Sequence, residues 1–61
     1  MNDTQNMTVF TILVAVEYGG EYLDSIHTSK ESAEKRRKHL VEGLDYHNDD
    51  VMIEPRPVLS L

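Results

Sequence analysis

The chain has 61 residues, of which 39% are hydrophobic and 28% charged, and its formal net charge is −5. This length allows one small domain near the lower limit of independent folding, with the composition of an ordinary soluble globular protein. The lack of cysteine excludes disulfides, thiolate metal sites and cysteine nucleophiles. The longest apolar run, Ile12 to Val16, is far shorter than the roughly 20 residues that span a bilayer, so we expect neither a transmembrane helix nor a signal peptide.

The charge is unevenly distributed along the chain. Every lysine and arginine except Arg56 lies between Lys30 and Gly43, and the remainder of the chain is strongly acidic. An acidic protein is poorly suited to neutralise phosphates, so direct binding to nucleic acid is not expected. Residues 35–38 are four consecutive bases, but successive helical positions point in different directions, which favours a solvated helix over an anion-binding patch.

Two strands joined by a tight turn are predicted near the start of the chain. Residues Val9–Val16 are rich in β-branched and aromatic side chains, which favours a strand. The Gly19-Gly20 step can supply two consecutive positive φ angles, as a type I′ hairpin turn requires. The returning strand, Tyr22–Ile26, has apolar residues three positions apart at Leu23 and Ile26, which indicates either a bulge or a twisted edge.

One helix is predicted to follow. Thr28 and Ser29 are both favoured N-cap residues, and Glu31 is placed to complete a capping box with Thr28. Gly43 is expected to end the helix in a left-handed conformation. The apolar stripe that faces the sheet is predicted to consist of Ala33, Leu40, Val41 and Leu44, together with the aliphatic stem of Arg37.

A third strand is predicted from Val51 onward. Pro55 and Pro57 are two residues apart, so their missing amide donors lie on one edge, which cannot accept another strand. The elements predict an α+β fold of ββαβ order, in which a three-stranded antiparallel sheet with strand order 2-1-3 carries one helix on one face. The expected organisation is a flexible tail over residues 1–7, a single domain over 8–58 and an apolar tail over 59–61.

A catalytic centre is not expected, because one helix on a three-stranded sheet leaves little concavity for a site that excludes water. Each of the histidines lacks a partner at metal-ligand spacing. The cluster of Asp45, His47, Asp49 and Asp50 lacks the pattern of a calcium loop, so we interpret it as a solvated turn. The sequence therefore predicts a non-enzymatic protein without a metal or cofactor.

The strongest functional signal is a surplus of apolar residues. If the helix covers the face of the first strand that carries Phe10, Ile12, Val14 and Val16, little of the chain remains to cover the other face. That second face is expected to present Val9, Leu13, Ala15 and either Tyr22 or Met52. It could be covered by the apolar C-terminal residues Val58, Leu59 and Leu61, by a second copy in a homodimer, or by a larger partner protein.

Acidic residues around the apolar face favour a basic partner surface through electrostatic steering. The candidate partner-binding residues are Leu13, Glu17, Glu21, Asp24, Glu54 and Arg56.

The segment from Phe10 to Val58 resembles small phage-encoded ββαβ accessory proteins, in which an apolar strand and tight hairpin precede a Thr-Ser-x-Glu-x-Ala helix start. In this chain the helix start is residues 28–33. The segment is also similar to the host RNA polymerase inhibitors of T7-like phages, whose last strand carries an Arg-Pro step, here Arg56-Pro57. The resemblance implies contacts with the polymerase through Arg56 and Glu21, and a location in the host cell cytoplasm.

The sequence thus predicts a protein-binding module of the phage type that modulates or inhibits a larger host protein, such as RNA polymerase or a defence protein. One alternative is an acidic mimic of nucleic acid that occupies a basic DNA- or RNA-binding cleft. Another is a small homodimeric structural protein. A mimic should lose binding steeply as salt rises, whereas an apolar interface should not. No association with a membrane is expected.

Overall fold

The computed structural model describes residues 5–60 as one sheet with one helical segment across it. The strands are antiparallel in the order β2-β1-β3, which confirms the predicted α+β fold of ββαβ order. The elements are β1 (Gln5–Ala15), β2 (Glu21–His27), α1 (Lys30–Lys38), a π-helical turn (His39–Gly43), a 3-10 turn (Asn48–Asp50) and β3 (Val51–Ser60).

The two outer strands cover different lengths of the central strand. β1 pairs with β2 only as far as Phe10↔His27, but its pairing with β3 continues to Gln5↔Ser60. Residues 5–9 and 56–60 therefore form a two-stranded arm that extends past β2. The strands are longer than expected, because residues 5–7 of the predicted N-terminal tail pair with residues 58–60, of which 59 and 60 belong to the predicted C-terminal tail. Residues 1–4 and Leu61 lie outside the described residues.

The turn between β1 and β2 differs from the predicted type I′ turn. Val16 N–H donates to Gly20 C=O at 2.9 Å, and Gly19 N–H donates to Val16 C=O at 3.3 Å. Gly19 has a φ of 83°, whereas Gly20 is not in the left-handed region. The loop is thus the three-residue type in which one left-handed glycine forms a bulge, and a second positive φ is not required.

The bulge predicted in the second strand is confirmed at Asp24. The pairing of β1 with β2 steps from Ile12↔Ser25 to Leu13↔Leu23, which leaves Asp24 without an opposite residue. This extra residue shifts the alternation of side chains along β2.

Ser29 is the N-cap of α1, and its side chain accepts a hydrogen bond from Ser32 N–H at 3.1 Å. The predicted capping box between Thr28 and Glu31 is wrong, because with Ser29 as the cap the third helical residue is Ser32 rather than Glu31. Glu31 nevertheless lies in the first turn, where its negative charge is favourable.

The helical segment ends in a π turn, which changes two further expectations. Leu44 N–H donates to His39 C=O at 3.0 Å, and the left-handed residue is Asp45, with a φ of 62°, rather than Gly43. The wider turn rotates Leu44 away from the sheet, so that it is 49% exposed, and Tyr46 packs against the core instead.

The core lies between α1 and one face of the sheet. It consists of the buried residues Ile12, Val14, Ala33, Leu40 and Val51. Within residues 5–60, no helical segment has the length and apolar character needed to cross a membrane.

Candidate protein-binding surface

The face of the sheet opposite α1, here called the free face, is covered by no other element in residues 5–60. It carries the odd-numbered residues of β1, because the intervening Ile12 and Val14 are buried beneath the helix. Its apolar residues are Met7, Val9, Leu13, Ala15, Leu23, Ile26, Met52 and Val58. Leu23 and Ile26 are 51% and 58% exposed, and Met7 and Val58 are 52% and 42% exposed, so the face exposes apolar side chains both on β2 and in the arm.

The bulge at Asp24 explains why β2 contributes two apolar residues to this face. Leu23 is paired with Leu13 and Ile26 with Thr11, so both lie on the free face although they are three positions apart. Tyr22 is paired with Val14 and therefore lies on the helix side; the prediction that placed Met52 on the free face is the correct alternative. The spacing of Leu23 and Ile26 was the sequence signal for this part of the surface.

A short polar stripe crosses the free face. Thr11 Oγ1 donates to Glu54 C=O at 3.0 Å, and Arg56 Nη2 donates to Glu54 Oε1 at 2.9 Å. Arg56 and Glu54 are two residues apart on β3, so their side chains lie on the same face. Both predicted partner-binding residues of β3 are therefore on the free face, and they form an ion pair with each other.

Glu17 and Glu21 lie at the hairpin end of the sheet. Glu21 is exposed and is paired with Ala15, which places it on the free face, whereas Glu17 is exposed in the hairpin loop. The loop before β3 reaches the same end, because Val51 is paired with Val14. Acidic side chains of the two loops thus gather at one end of the molecule.

Asp24, which the sequence nominated for the same rim, is used inside the protein instead. Arg36 donates to its carboxylate from Nε and Nη2 at 2.9 and 3.0 Å, and the Asp24 side chain is only 10% exposed. The guanidinium of Arg36 lowers the pKa of Asp24 below its ordinary value, and a hydrogen bond from Ser25 lowers it further. This ion pair joins the β2 bulge to α1.

A chain of hydroxyl and imidazole groups extends from the same carboxylate. Ser25 Oγ donates to Asp24 Oδ2, and His27 Nε2 and Nδ1 contact Ser25 Oγ and Ser32 Oγ, with all three distances 2.8 Å. Because Ser25 donates its proton to Asp24, His27 donates from Nε2 to Ser25. The chain links β2 to the first turn of α1, and sequence analysis missed it because it depends on the bulge.

The consecutive bases of α1 separate into two kinds. Arg36 bonds to Asp24, while Arg37 donates from Nε to Val51 C=O at 3.0 Å and from Nη2 to Asn48 Oδ1 at 2.7 Å. Lys35 and Lys38 are exposed. The two arginines therefore fasten the helix to both sides of the sheet, and the run does not form one basic patch.

Tyr22 and Tyr46 meet at the hairpin end on the helix side. Their hydroxyl oxygens are 3.3 Å apart, and this hydrogen bond raises the pKa of Tyr22 above its ordinary value. Together with Val16 and Asp50 they line a cavity of about 280 Å³.

The acidic loop is organised by its own backbone. His47 Nδ1 accepts a hydrogen bond from Asp49 N–H at 3.2 Å, and it lies 3.9 Å from Asp49 Oδ2. Within the part of the chain that the structure describes, no three histidine or acidic side chains converge as a set of metal ligands.

Comparison with protein-family models, with curated proteins and with solved structures finds no match for this chain. The free face is therefore interpreted from its own geometry and charge.

Proposed function

We propose that this protein is a non-enzymatic protein-binding module whose free face docks on a larger protein with a basic rim around an apolar patch. The observation that carries the proposal is the set of exposed apolar side chains on the free face, namely Leu23 and Ile26 on β2 and Met7 and Val58 in the arm. Several exposed apolar residues on one uncovered face indicate an interaction surface, whereas single residues scattered over a molecule do not.

The charge of the protein supports the same class of partner. The net charge is −5, and Glu17 and Glu21 remain exposed at the hairpin end of the free face. An acidic border beside an apolar centre attracts a basic surface during encounter, and desolvation of the centre then gives affinity. Arg56 adds a cationic group at the opposite end of the face.

In this proposal the protein is of the phage type and modulates or inhibits a host enzyme such as RNA polymerase or a defence protein. This part rests on the resemblance of the hairpin, the helix start and the Arg56-Pro57 step to such proteins. Glu21 and Arg56, which the resemblance nominates as contacts, both lie on the free face.

Capture from bacterial lysate with matched variants tests the proposal. Leu23→Lys places a charge on the free face beside Leu13 of the central strand, and Leu44→Lys places the same charge on a leucine of similar exposure at the end of the helix. A genuine partner should be retained by the wild type and by Leu44→Lys, and reduced at least tenfold by Leu23→Lys. Circular dichroism should show that both variants fold.

Equal retention of every captured protein by Leu23→Lys and Leu44→Lys would contradict docking through the free face. An intact fold in both variants makes this comparison independent of stability.

A second candidate function, an acidic mimic of nucleic acid, is favoured by one observation. Exposed carboxylates of the hairpin loop and of the loop before β3 gather at one end of the protein, namely those of Glu17, Glu21, Asp45, Asp49 and Asp50. The ion pairs of Asp24 and Glu54 withdraw two further carboxylates from such a role. A mimic should compete with DNA or RNA for its target, and Leu23→Lys should leave that competition unchanged.

A further inference from the structure

The sheet has one segment of edge that nothing in its sequence blocks. The outer edge of β3 carries Pro55 and Pro57, which remove amide donors, and the outer edge of β2 is distorted by the bulge at Asp24. Between Gln5 and Val9, however, β1 pairs only with β3, and no strand within residues 5–60 occupies its other side. This stretch of β1 is called the open edge.

The prolines also reveal which backbone groups point to the open edge. Pro57 lies opposite Thr8, and because proline has no N–H, these two residues cannot exchange backbone hydrogen bonds. Pro55 lies opposite Phe10 and repeats the pattern two residues away. In an antiparallel ladder, two opposite residues that exchange no hydrogen bonds direct their N–H and C=O groups away from each other, towards the outer sides of the two strands. Thr8, and Asn6 two residues before it, therefore direct their N–H and C=O groups to the open edge.

The geometry points to a second copy of this chain as the occupant: two open edges pair antiparallel about a twofold axis at Met7. In this register Asn6 of each copy lies opposite the partner's Thr8, and both outward-pointing residues exchange N–H···O=C hydrogen bonds. If the partner's β1 were shifted by two residues towards β2, it would collide with β2, whose pairing with β1 begins at Phe10. A slide in the other direction would leave Thr8 without a partner in the open edge.

The charge pattern of β1 permits a second copy at this edge. Two copies with a net charge of −5 repel each other, so a self-contact requires an uncharged segment. β1 contains no charged residue from Gln5 to Ala15. Met7 lies on the twofold axis opposite the partner's Met7, and its side chain is 52% exposed in the single chain.

The shape of the single chain leaves surface for such a contact. The radius of gyration is 13.8 Å, against about 10.5 Å for a compact chain of this length. The accessible surface of 4850 Å² exceeds by roughly 800 Å² the value typical of a 7.0 kDa monomer. The arm extends past the end of β2, and an isolated two-stranded ribbon is marginal in water. Pairing of two arms replaces each ribbon by a four-stranded sheet.

This inference goes beyond the proposed function but bears on it. A twofold axis perpendicular to the sheet keeps both free faces on one side and both helices on the other. The dimer therefore presents a single, doubled free face.

Sedimentation equilibrium of the full chain, from micromolar to millimolar concentration, tests the inference. The wild type should form a dimer. Met7→Lys and Met7→Glu each place like charges opposite each other at the axis, so each should raise the dimer Kd at least tenfold. An equimolar mixture of the two variants should restore the dimer as a heterodimer. Val58→Lys, on the neighbouring strand and the same face, is the matched control and should leave the dimer intact.

A proline variant tests the backbone pairing itself. Thr8→Pro removes an N–H that the β1–β3 ladder does not use, so it should give a folded monomer by circular dichroism and sedimentation. A wild type that is monomeric at millimolar concentration would overturn the inference and assign the open edge to an extended segment of another protein. Dissociation by Val58→Lys, or a mixture of the Met7 variants that stays monomeric, would also overturn it, because the contact would then be elsewhere.

Discussion

Asp24 combines three roles in one side chain. It is the extra residue of the β2 bulge, it accepts two hydrogen bonds from Arg36, and it accepts a third from Ser25. Because the bulge sends Leu23 and Ile26 to the free face, the residue that fastens the helix also determines the composition of the binding surface. A charged group of this kind stabilises the fold through paired hydrogen bonds more than through its charge alone.

The Asp24 ion pair should make stability depend on pH. The pKa of Asp24 is held below the ordinary value of 3.8. The ion pair therefore contributes fully to the free energy of unfolding above pH 3.8, and this contribution is lost as the pH falls through the folded-state pKa. Asp24→Asn should lower the free energy of unfolding at pH 7 by about 1 to 2 kcal/mol, and the difference from wild type should shrink in acid. Urea unfolding at pH 7 and pH 3 measures this. Glu17→Gln, in the exposed hairpin loop, is the control, and an equal effect of both variants would contradict the prediction.

Gly19 and Gly20 should respond differently to the same substitution. Gly19 has a positive φ, so Gly19→Ala should cost about 1 kcal/mol through backbone strain. A Cβ at Gly20 would lie 3.4 Å from Val16 Cγ2, an ordinary contact, so Gly20→Ala should be nearly neutral. Chemical denaturation of the pair measures the difference. Equal loss of stability in both variants would show that the turn needs two left-handed residues after all.

For single residues, the sequence predicts local roles such as a cap or a bulge better than it predicts hydrogen-bond partners. A cap at Ser29 and a bulge near Leu23 follow from local patterns, whereas the bond from Arg36 to Asp24 joins residues twelve positions apart. Nothing local distinguishes Arg36 from its basic neighbours. Its role becomes visible only when the bulge and the helix are placed side by side.

In the helical segment, one irregular turn changes which side chains are buried and which are exposed. α1 begins where capping predicts, but the π turn from His39 to Gly43 adds a residue before Asp45 reverses the chain. A regular helix would place Leu44 on the buried stripe; the wider turn places Tyr46 there instead. Helical periodicity carries no signal for a π turn, so Leu44 could not be assigned correctly from sequence.

Two leucines of this segment provide a stability test. Leu40 is buried in the core, so Leu40→Ala should cost about 2 to 5 kcal/mol, a large part of the stability of so small a domain. Leu44 is half exposed, so Leu44→Ala should change stability by less than about 0.5 kcal/mol. Thermal unfolding followed by circular dichroism compares them. A similar loss in both would show that Leu44 packs against the sheet as the periodicity suggests.

For the molecule as a whole, acidic and apolar surfaces occupy different places. The carboxylates of both loops lie at the hairpin end, whereas the arm is uncharged along β1 and projects from the opposite end. The overall fold was predictable because a tight turn and a helix cap mark where the elements begin and end, and because only one strand is apolar enough to be central. The arm was not, since the polar residues Gln5 and Asn6 gave no sign of pairing with the last strand.

This separation predicts how charge affects partner binding. The double variant Glu17→Lys and Glu21→Lys should slow association with the captured partner about tenfold at low salt, with little change in dissociation. The effect should fade at high salt because the charges are screened. Surface plasmon resonance at two salt concentrations measures both rates. Complete loss of binding at every salt concentration would instead favour the mimic of nucleic acid.

The order of the strands has a kinetic consequence. β1 lies in the centre, yet one of its neighbours joins through a three-residue loop and the other only after β2 and the helix have passed. The hairpin can close within microseconds, but the β1–β3 ladder must overcome the closure entropy of the whole intervening chain. During synthesis β1, the most apolar strand, remains paired on one side only until β3 has been synthesised. The slow step of folding is therefore the arrival of β3.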